Sequence, residues 1–222
     1  MTTAIILAAG KSERMGAGTD KAFLSLVAKP VVAWSLIAFE RCAEIDRIVL
    51  VVRKDQILAS KAVVKMFGIS KIDKIVAGGT KRSDSVQAGL AACDSDTRYV
   101  VIHDGARPLI TSDVIAEVVK TVKRTPAVTV GRKMVDTVKR VEKGTVVAET
   151  IDRSKVWSVQ TPQAFQFRIL RDAYAKLESK DVTDDCQVVE LAGETVKIVE
   201  NNKPNLKITT VEDLQVAGAL LK

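Results

Sequence analysis

The sequence predicts an α/β fold: a mostly parallel sheet covered by helices on both faces, with a β-hairpin arm projecting from it. Three observations lead there. Strand-length apolar runs alternate with helix-period segments, those runs are apolar at consecutive positions, and the alternation first breaks near Gly131. Consecutive apolar residues mark strands buried on both faces, the environment of parallel strands between two helical layers. A chain of 222 residues suits one domain, so 1–222 reads as a single unit with the arm at about 132–153.

In chain order, residues 3–9 (TAIILAA) form the first buried strand. Pro30 suits the first turn of a helix carrying Val31, Trp34, Ile37 and Ala38 on one stripe. Residues 47–52 are the second strand and 55–67 a helix. Residues 74–77 are the third strand, closed by Gly78-Gly79 and followed by a helix through Cys93. The fourth strand, 99–103, ends in Asp104-Gly105; a helix at 113–124 and a strand at 127–130 complete the run. In such Rossmann-like sheets ligands sit beyond the carboxyl ends of the strands. The loops to inspect are therefore 10–21, 78–85 and 104–108.

Past Gly131 the pattern changes. Residues 135–141 and 145–151 are β-rich with Lys143-Gly144 between them, which reads as a hairpin. Both legs carry charge (Lys139, Arg140, Glu142, Glu149), so the ribbon is marginal alone, and docking on a partner subunit would supply the missing burial. A strand at 156–160, helices at 167–177 and 184–191, and strands at 195–199 and 206–208 follow. The last helix has Thr210 as its cap and Glu212 and Asp213 in its first turn.

Composition narrows the function. Lys+Arg 34 against Asp+Glu 27 gives a net charge of +7, but the positive charge is spread along the chain and only 4% of residues are aromatic. Nucleic acid is therefore not the expected partner, since it wants a basic stripe and stacking platforms. A small anionic ligand explains the excess equally well. One histidine (His103) excludes a His-based metal cage, and three widely spaced cysteines support neither a zinc ribbon nor a disulfide framework. No run approaches the ~18 apolar residues needed to cross a bilayer. The first residues lack a basic, then apolar, then small-residue pattern. The expectation is a cytoplasmic protein with no membrane partner, or a plastid one in a plant-like source, though no transit peptide is seen in this chain.

Three loops carry candidate chemistry. Ala8-Ala9-Gly10 opens a small-residue loop on which backbone N–H groups can approach phosphate oxygens, with Arg14 and Lys21 as cations beside it. It matches neither a P-loop nor a dinucleotide fingerprint. Gly79, Arg82 and Ser85 lie where paired glycines meet a helix start. Asp104, Gly105 and Arg107 put a carboxylate and a guanidinium at the ligand edge of the sheet, where Asp104 could hold a divalent cation. Spacing alone leaves each open to a plainer reading: solvated surface charge, an ordinary turn and cap, and an Asp104–Arg107 pair bracing the turn. His103 reads as a structural residue closing its strand.

Taken in order, LAAGKSERM, Lys21, AGGTKRSDSV, HDGARP, VDTVK, IDRS, TPQAF, TDD and NLKITTVEDL resemble the 2-C-methyl-D-erythritol 4-phosphate cytidylyltransferase family over nearly the whole chain. The resemblance implies CTP + methylerythritol phosphate → CDP-methylerythritol + pyrophosphate, with Mg²⁺ or another divalent cation and a homodimer formed through the arm. It implies that Ala8, Ala9 and Gly10 line the nucleotide and that Gly79, Arg82 and Ser85 surround the cytosine. Arg14 and Lys21 would grip the triphosphate. Asp104 would lie beside the metal and the sugar-alcohol phosphate, with Gly105 and Arg107 alongside. Thr137 would reach the partner's substrate site. Arg153, Thr161, Thr183 and Lys207 would surround the methylerythritol phosphate, Arg153 and Lys207 orienting its phosphate. A related family acting on ribitol 5-phosphate shares several of these motifs and is the alternative. The chain departs from the family's usual pattern at Ser12, where a Gly is common, and at Asp20-Lys21-Ala22, where Pro-Lys-Gln is.

Overall fold

The computed structural model describes residues 1–10, 20–177 and 181–221. In chain order the elements are β1 (Thr2–Ala8), β2 (Ser25–Leu26), β3 (Lys29–Pro30), α1 (Val31–Glu40), β4 (Arg47–Val52), α2 (Ile57–Met66), β5 (Ile72–Ala77) and α3 (Arg82–Ala92). Then come β6 (Tyr99–Asp104), α4 (Ser112–Val122), β7 (Ala127–Lys133), β8 (Val138–Lys143), β9 (Val146–Ile151), β10 (Trp157–Gln166), α5 (Phe167–Lys176), α6 (Asp185–Leu191), β11 (Val196–Glu200) and α7 (Val211–Leu220). Seven strands form one sheet in the order β11-β7-β10-β6-β1-β4-β5. β1 lies parallel to β4 and β6, β4 to β5, and β7 to β11, while β10 runs antiparallel to both of its neighbours.

The period of two along each strand sorts the core into two layers. Ala4 and Ile6 of β1, with Ile48, Leu50 and Val52 of β4, pack against Leu36 and Phe39 of α1 and Ile115 and Val119 of α4. The alternate residues Ile5, Val49 and Val51 pack on the other face with Val86 and Leu90 of α3, Leu170 of α5 and Val189 of α6. Both faces being buried is why these strands read as unbroken apolar runs.

β8 and β9 form a separate two-stranded arm, held by Arg140 Nε to Glu149 Oε1 (2.7 Å) and Lys139 Nζ to Thr150 Oγ1 (2.6 Å). Gly144 turns it with φ +59. Val141, Val146 and Val147 are exposed on it. No helix among the described residues is long and apolar enough to cross a membrane.

Four expectations need correction. Trp34, Ile37 and Ala38 of α1 are only half-buried, whereas Val32, Ala33, Ser35, Leu36 and Phe39 are buried; the helix is apolar nearly all round, so periodicity could not choose its face. Pro30 caps this helix instead of starting it. The strand expected at 156–160 runs on to Gln166, because Pro162 sits in a register shift between Gln160 and Gln163, where the ladder needs no N–H from it. Residues 206–208 form no strand. They cross the carboxyl ends of the sheet, joined by Ile208 N–H to the Ala106 carbonyl (2.8 Å) and by Asn205 Nδ2 to the Thr161 carbonyl (2.8 Å).

The close approach of α3 to β1 depends on Gly89. A Cβ there would lie 2.5 Å from Ile5 Cγ2. Gly→Ala inside a helix ordinarily gains about 0.5–1 kcal/mol; here overpacking reverses the sign. Gly89→Ala should destabilise the protein by about 1–3 kcal/mol, read as a lower urea midpoint at unchanged m, and a raised midpoint would refute the packing described.

Candidate active site

Three loops leaving the carboxyl ends of β1, β5 and β6 enclose a cleft of ≈ 150 Å³, and the crossing segment closes it with Lys207. Ala8, Ala9 and Gly10 form one wall, Gly79, Thr80, Lys81, Arg82 and Ser85 a second, and Asp104 and Ala106 a third; Asp20, Lys21 and Ala22 complete it. The second wall is rigid. Ser85 Oγ accepts from the Gly79 N–H (3.2 Å) and donates to the Lys81 carbonyl (3.3 Å), while Asp84 Oδ2 accepts from the Lys81 N–H (2.9 Å) at the start of α3. A Cβ on Gly79 would lie 2.3 Å from Asp84 Cβ, so only glycine allows this turn to close.

Asp104 is the electrostatic centre. Its side chain is 10% exposed, with Lys207 Nζ at 2.8 Å and Arg107 Nε at 3.6 Å from Oδ2, and Arg82 Nε at 3.5 Å from Oδ1. Burial alone raises the pKa of this carboxyl, but Lys207, then Arg82, then Arg107 outweigh it and hold the group well below the usual range. Arg82 is itself pinned from below by Asp185, whose Oδ2 accepts from Nη2 at 2.7 Å. Asp104 therefore stays ionised, and two of its cations, Arg82 and Lys207, line the cleft with it.

Beneath it lies a chain of neutral hydrogen bonds. The Asp104 N–H donates to Thr161 Oγ1 (3.0 Å), the Thr161 hydroxyl to His103 Nδ1 (3.2 Å), and His103 Nε2–H to the Arg107 carbonyl (3.4 Å). Of the two neutral tautomers only Nε2–H satisfies all three, and the fully buried ring packs on Phe39 with centroids 5.1 Å apart. Burial pushes the His103 pKa down to about 3, outweighing the opposing pull of Asp104. The ring braces the strand end and has no free nitrogen for base catalysis.

Nine of the residues singled out from sequence line this one cleft: Ala8, Ala9, Gly10, Lys21, Gly79, Arg82, Ser85, Asp104 and Lys207. Others stand behind or apart. Arg107 supports Asp104 and donates through Nη1 to the Asn205 carbonyl (2.8 Å), so the bracing pair with Asp104 does exist. Gly105 donates its N–H to the Leu7 carbonyl (2.8 Å), tying β6 to β1, and Thr161 is committed as above. Thr183 is exposed, its N–H and hydroxyl both donating to Gln187 Oε1 at the start of α6. Thr137 and Arg153 lie at the base of the arm, where the guanidinium donates to the Val135 carbonyl. Arg14 lies outside the described residues. Sequence reading missed Asp185 and Asn205, each inside a recognised motif but with a supporting role that no motif spells out.

A divalent cation has a plausible seat by donor chemistry. Asp20 and Asp104 both line the cleft, and Asp20 Oδ2 is buried without a hydrogen-bond partner, which leaves a lone-pair-bearing oxygen to spare. Burial raises the pKa of Asp20. No cluster of three metal-ligating side chains exists among the described residues. This donor set fits Mg²⁺ brought in on phosphates, which commonly uses one or two carboxylates and keeps several waters.

The chain was compared with known proteins. The family model described as IspD, 2-C-methyl-D-erythritol 4-phosphate cytidylyltransferase, matches residues 2–222. A 2-C-methyl-D-erythritol 4-phosphate cytidylyltransferase of Alkaliphilus oremlandii is 42% identical over 224 residues, covering 100% of this chain and 95% of the relative. One from Halalkalibacterium halodurans is 41% identical over 219 residues, covering 98% and 95%. Among solved structures, the 4-diphosphocytidyl-2C-methyl-D-erythritol synthase of Anaerococcus prevotii superposes with a TM-score of 0.89 at 34% identity, covering 99% of this chain and 95% of that one.

The neutral histidine makes stability depend on pH with a definite sign. In the unfolded chain His103 takes up a proton near pH 6.5; in the folded chain it does so only near 3. Between those values the unfolded state binds more protons, so stability falls as pH falls, by up to about 1.4 kcal/mol per unit. Asp104 adds to this only below about pH 4, where its unfolded form protonates. His103 is the chain's sole histidine, so urea midpoints between pH 6.5 and 5 isolate it. The wild type should lose about 2 kcal/mol over that interval and His103→Gln should lose almost nothing; equal slopes would refute the assignment.

Proposed function

The chain belongs to the 2-C-methyl-D-erythritol 4-phosphate cytidylyltransferase family, and on that premise we propose how its residues divide the work of cytidylyl transfer from CTP to 2-C-methyl-D-erythritol 4-phosphate. The observation that carries the assignment is the cleft itself: four cationic side chains, Lys21, Lys81, Arg82 and Lys207, and two carboxylates meet against small-residue loops at the carboxyl edge of the sheet. The ribitol 5-phosphate alternative is not favoured, because the family match spans the chain from residue 2 to its last.

The nucleophile is a phosphate monoester with a second pKa near 6, so it is mostly dianionic at neutral pH. It needs no base. The obstacle is repulsion between two polyanions, and catalysis consists of neutralising and aligning them. Ala8, Ala9 and Gly10 admit the nucleotide closely, and Gly79, Arg82 and Ser85 hold the cytosine. Lys21 and Arg14 grip the triphosphate and stabilise charge developing at the α-phosphorus. Lys207, seated on Asp104, orients the phosphate of the acceptor; Arg153, Thr161 and Thr183 contribute around the same substrate. A cation about 4 Å from a phosphate oxygen is worth roughly 4 kcal/mol at an effective dielectric near 20, so two such groups oppose much of the repulsion. Asp104 and Asp20, which line the same cleft, would hold the Mg²⁺ that accompanies CTP. When bound, the metal supplies neutralisation of phosphate charge.

The exposed valines of the arm and the placement of Thr137 and Arg153 at its base support a homodimer in which Thr137 completes the partner's substrate site. The compartment that goes with this reading is the cytoplasm.

Pyrophosphate release tests the activity: CTP with methylerythritol phosphate should turn over, and substituting ribitol 5-phosphate should abolish most of the rate. Faster turnover of the ribitol compound would replace the acceptor. Lys21→Ala should lower kcat by about 10²-fold or more, the scale of losing one preorganised donor, with near wild-type turnover removing Lys21 from the chemistry. Sedimentation should give twice the 24.0 kDa chain mass. A variant in which residues 138–151 are replaced by a short turn should be monomeric and inactive; a fully active monomer would exclude Thr137 acting across the dimer.

A further inference from the structure

Arg82 joins two carboxylates that differ in kind. Its Nη2 donates to Asp185 Oδ2 at 2.7 Å, while its Nε lies 3.5 Å from Asp104 Oδ1. Asp185 is fully buried and does not line the cleft. It is fixed from two other elements: Tyr174 of α5 donates its hydroxyl to Asp185 Oδ1 (2.6 Å), and Gln163 of β10 accepts from the Asp185 N–H (3.2 Å). Gln163 is held in turn, since its Nε2 donates to Asp184 Oδ2 (2.7 Å) and to Thr129 Oγ1 (3.2 Å). A buried carboxylate so completely satisfied is a fixed charge, and Arg82 is the cation set against it.

The shorter contact decides where the guanidinium rests. With Asp104 alone, Arg82 would close onto that carboxylate in competition with Lys207 and Arg107. Asp185 draws it back, leaving Asp104 to Lys207 and leaving the fork partly engaged. A guanidinium has five N–H donors in one plane, and the contacts to the two carboxylates occupy only its Nη2 and Nε side.

We propose that Asp185, seated by Tyr174 and Gln163, is a positioning residue for the nucleotide: it holds Arg82 in the orientation that meets CTP. The inference rests on the reading above that Arg82 faces the base. It assigns to the second Asp of the Thr183-Asp184-Asp185 stretch a task on the nucleotide side of the cleft. The substrate group at stake is the polar edge of the cytosine, which a planar donor fork reads only when its plane is fixed.

A mutant cycle read in steady-state kinetics tests it. Asp185→Asn keeps the shape and removes the charge; it should raise KM for CTP about tenfold or more, the scale of a hydrogen bond to a charged group, with KM for methylerythritol phosphate changed by a clearly smaller factor, since Arg82 reaches Lys207 only through Asp104. Tyr174→Phe, which loosens Asp185 while leaving its charge, should shift the CTP KM in the same direction by a smaller factor. In an Arg82→Ala background neither substitution should raise it further, because the group they position is gone. Undiminished effects in that background, or equal effects on both substrates, would mean general loosening and overturn the inference. If Asp185→Asn fails to fold, the Tyr174→Phe arm of the cycle decides alone. If Arg82→Ala leaves the CTP KM unchanged, the reading of Arg82 falls and the inference with it; if Arg82→Ala raises it and Asp185→Asn and Tyr174→Phe do not, the inference fails while that reading stands.

Discussion

One buried carboxylate organises this molecule. Asp104 sits at the end of a central strand, nearly closed off from water, and ions in such places are costly unless paired. Its three cations come from distant points of the chain: Arg82 from the start of α3, Arg107 from the turn after β6, and Lys207 from the segment before α7. Satisfying that charge obliges loops from both halves of the sheet to converge on one spot. Three cations meet Asp104 and Asp185, so they outnumber the carboxylates by one, and two of them, Arg82 and Lys207, line the cleft. That imbalance is what the proposed function asks of an anion site.

The sheet supplies the rest. Parallel pairing of β5, β4, β1 and β6 brings their carboxyl ends to one edge, so loops separated by dozens of residues share a wall. The reversed β10 then passes beside β6, and its irregularity at Gln160–Gln163 turns Thr161 toward the Asp104 backbone and His103. That contact fixes the strand end on which Asp104 stands. Asn205 reaches the same irregular stretch, bonding to Gln160 Oε1 (3.0 Å) and to the Thr161 carbonyl, and so locates the segment that delivers Lys207. Position of the charge, in short, is set by uncharged hydrogen bonds beneath it.

The legible parts of this arrangement were those with local signatures. Strand–helix alternation revealed the sheet, Thr210 and Asp213 announced the last helix as the reciprocal cap they form, and charge on both legs of the arm marked it as unsupported. Small residues and cations after strands marked the cleft, since an anion site needs close backbone approach and fixed positive charge. What escaped lacked a local cause. Residues 206–208 look like a strand because Leu206 and Ile208 alternate with Lys207, yet their partners are the ends of other strands, a matter of tertiary arrangement. α1 hid its buried face by being apolar on all sides. Asp185 reads in sequence as one acid among several in a helix start, and nothing short of Arg82's position separates it from its neighbour Asp184, which caps that helix by accepting from the Gln187 N–H.

Asp20 shows how a residue apparently unsuited to its place can still serve it. An acid next to Lys21 opposes the charge of the triphosphate that the proposed function brings there, but Asp20 Oδ1 accepts from the Ala22 N–H (3.1 Å) and caps the 3-10 turn Lys21–Phe23. A proline at this position would stiffen the chain by fixing φ; an N-capping carboxylate stiffens it by a hydrogen bond instead. Both devices fix the direction in which Lys21 leaves the backbone. The price is a second carboxylate oxygen buried without a partner, and burial lessens it by raising the pKa and so favouring the neutral form. Asp20 as a residue nonetheless lines the cleft.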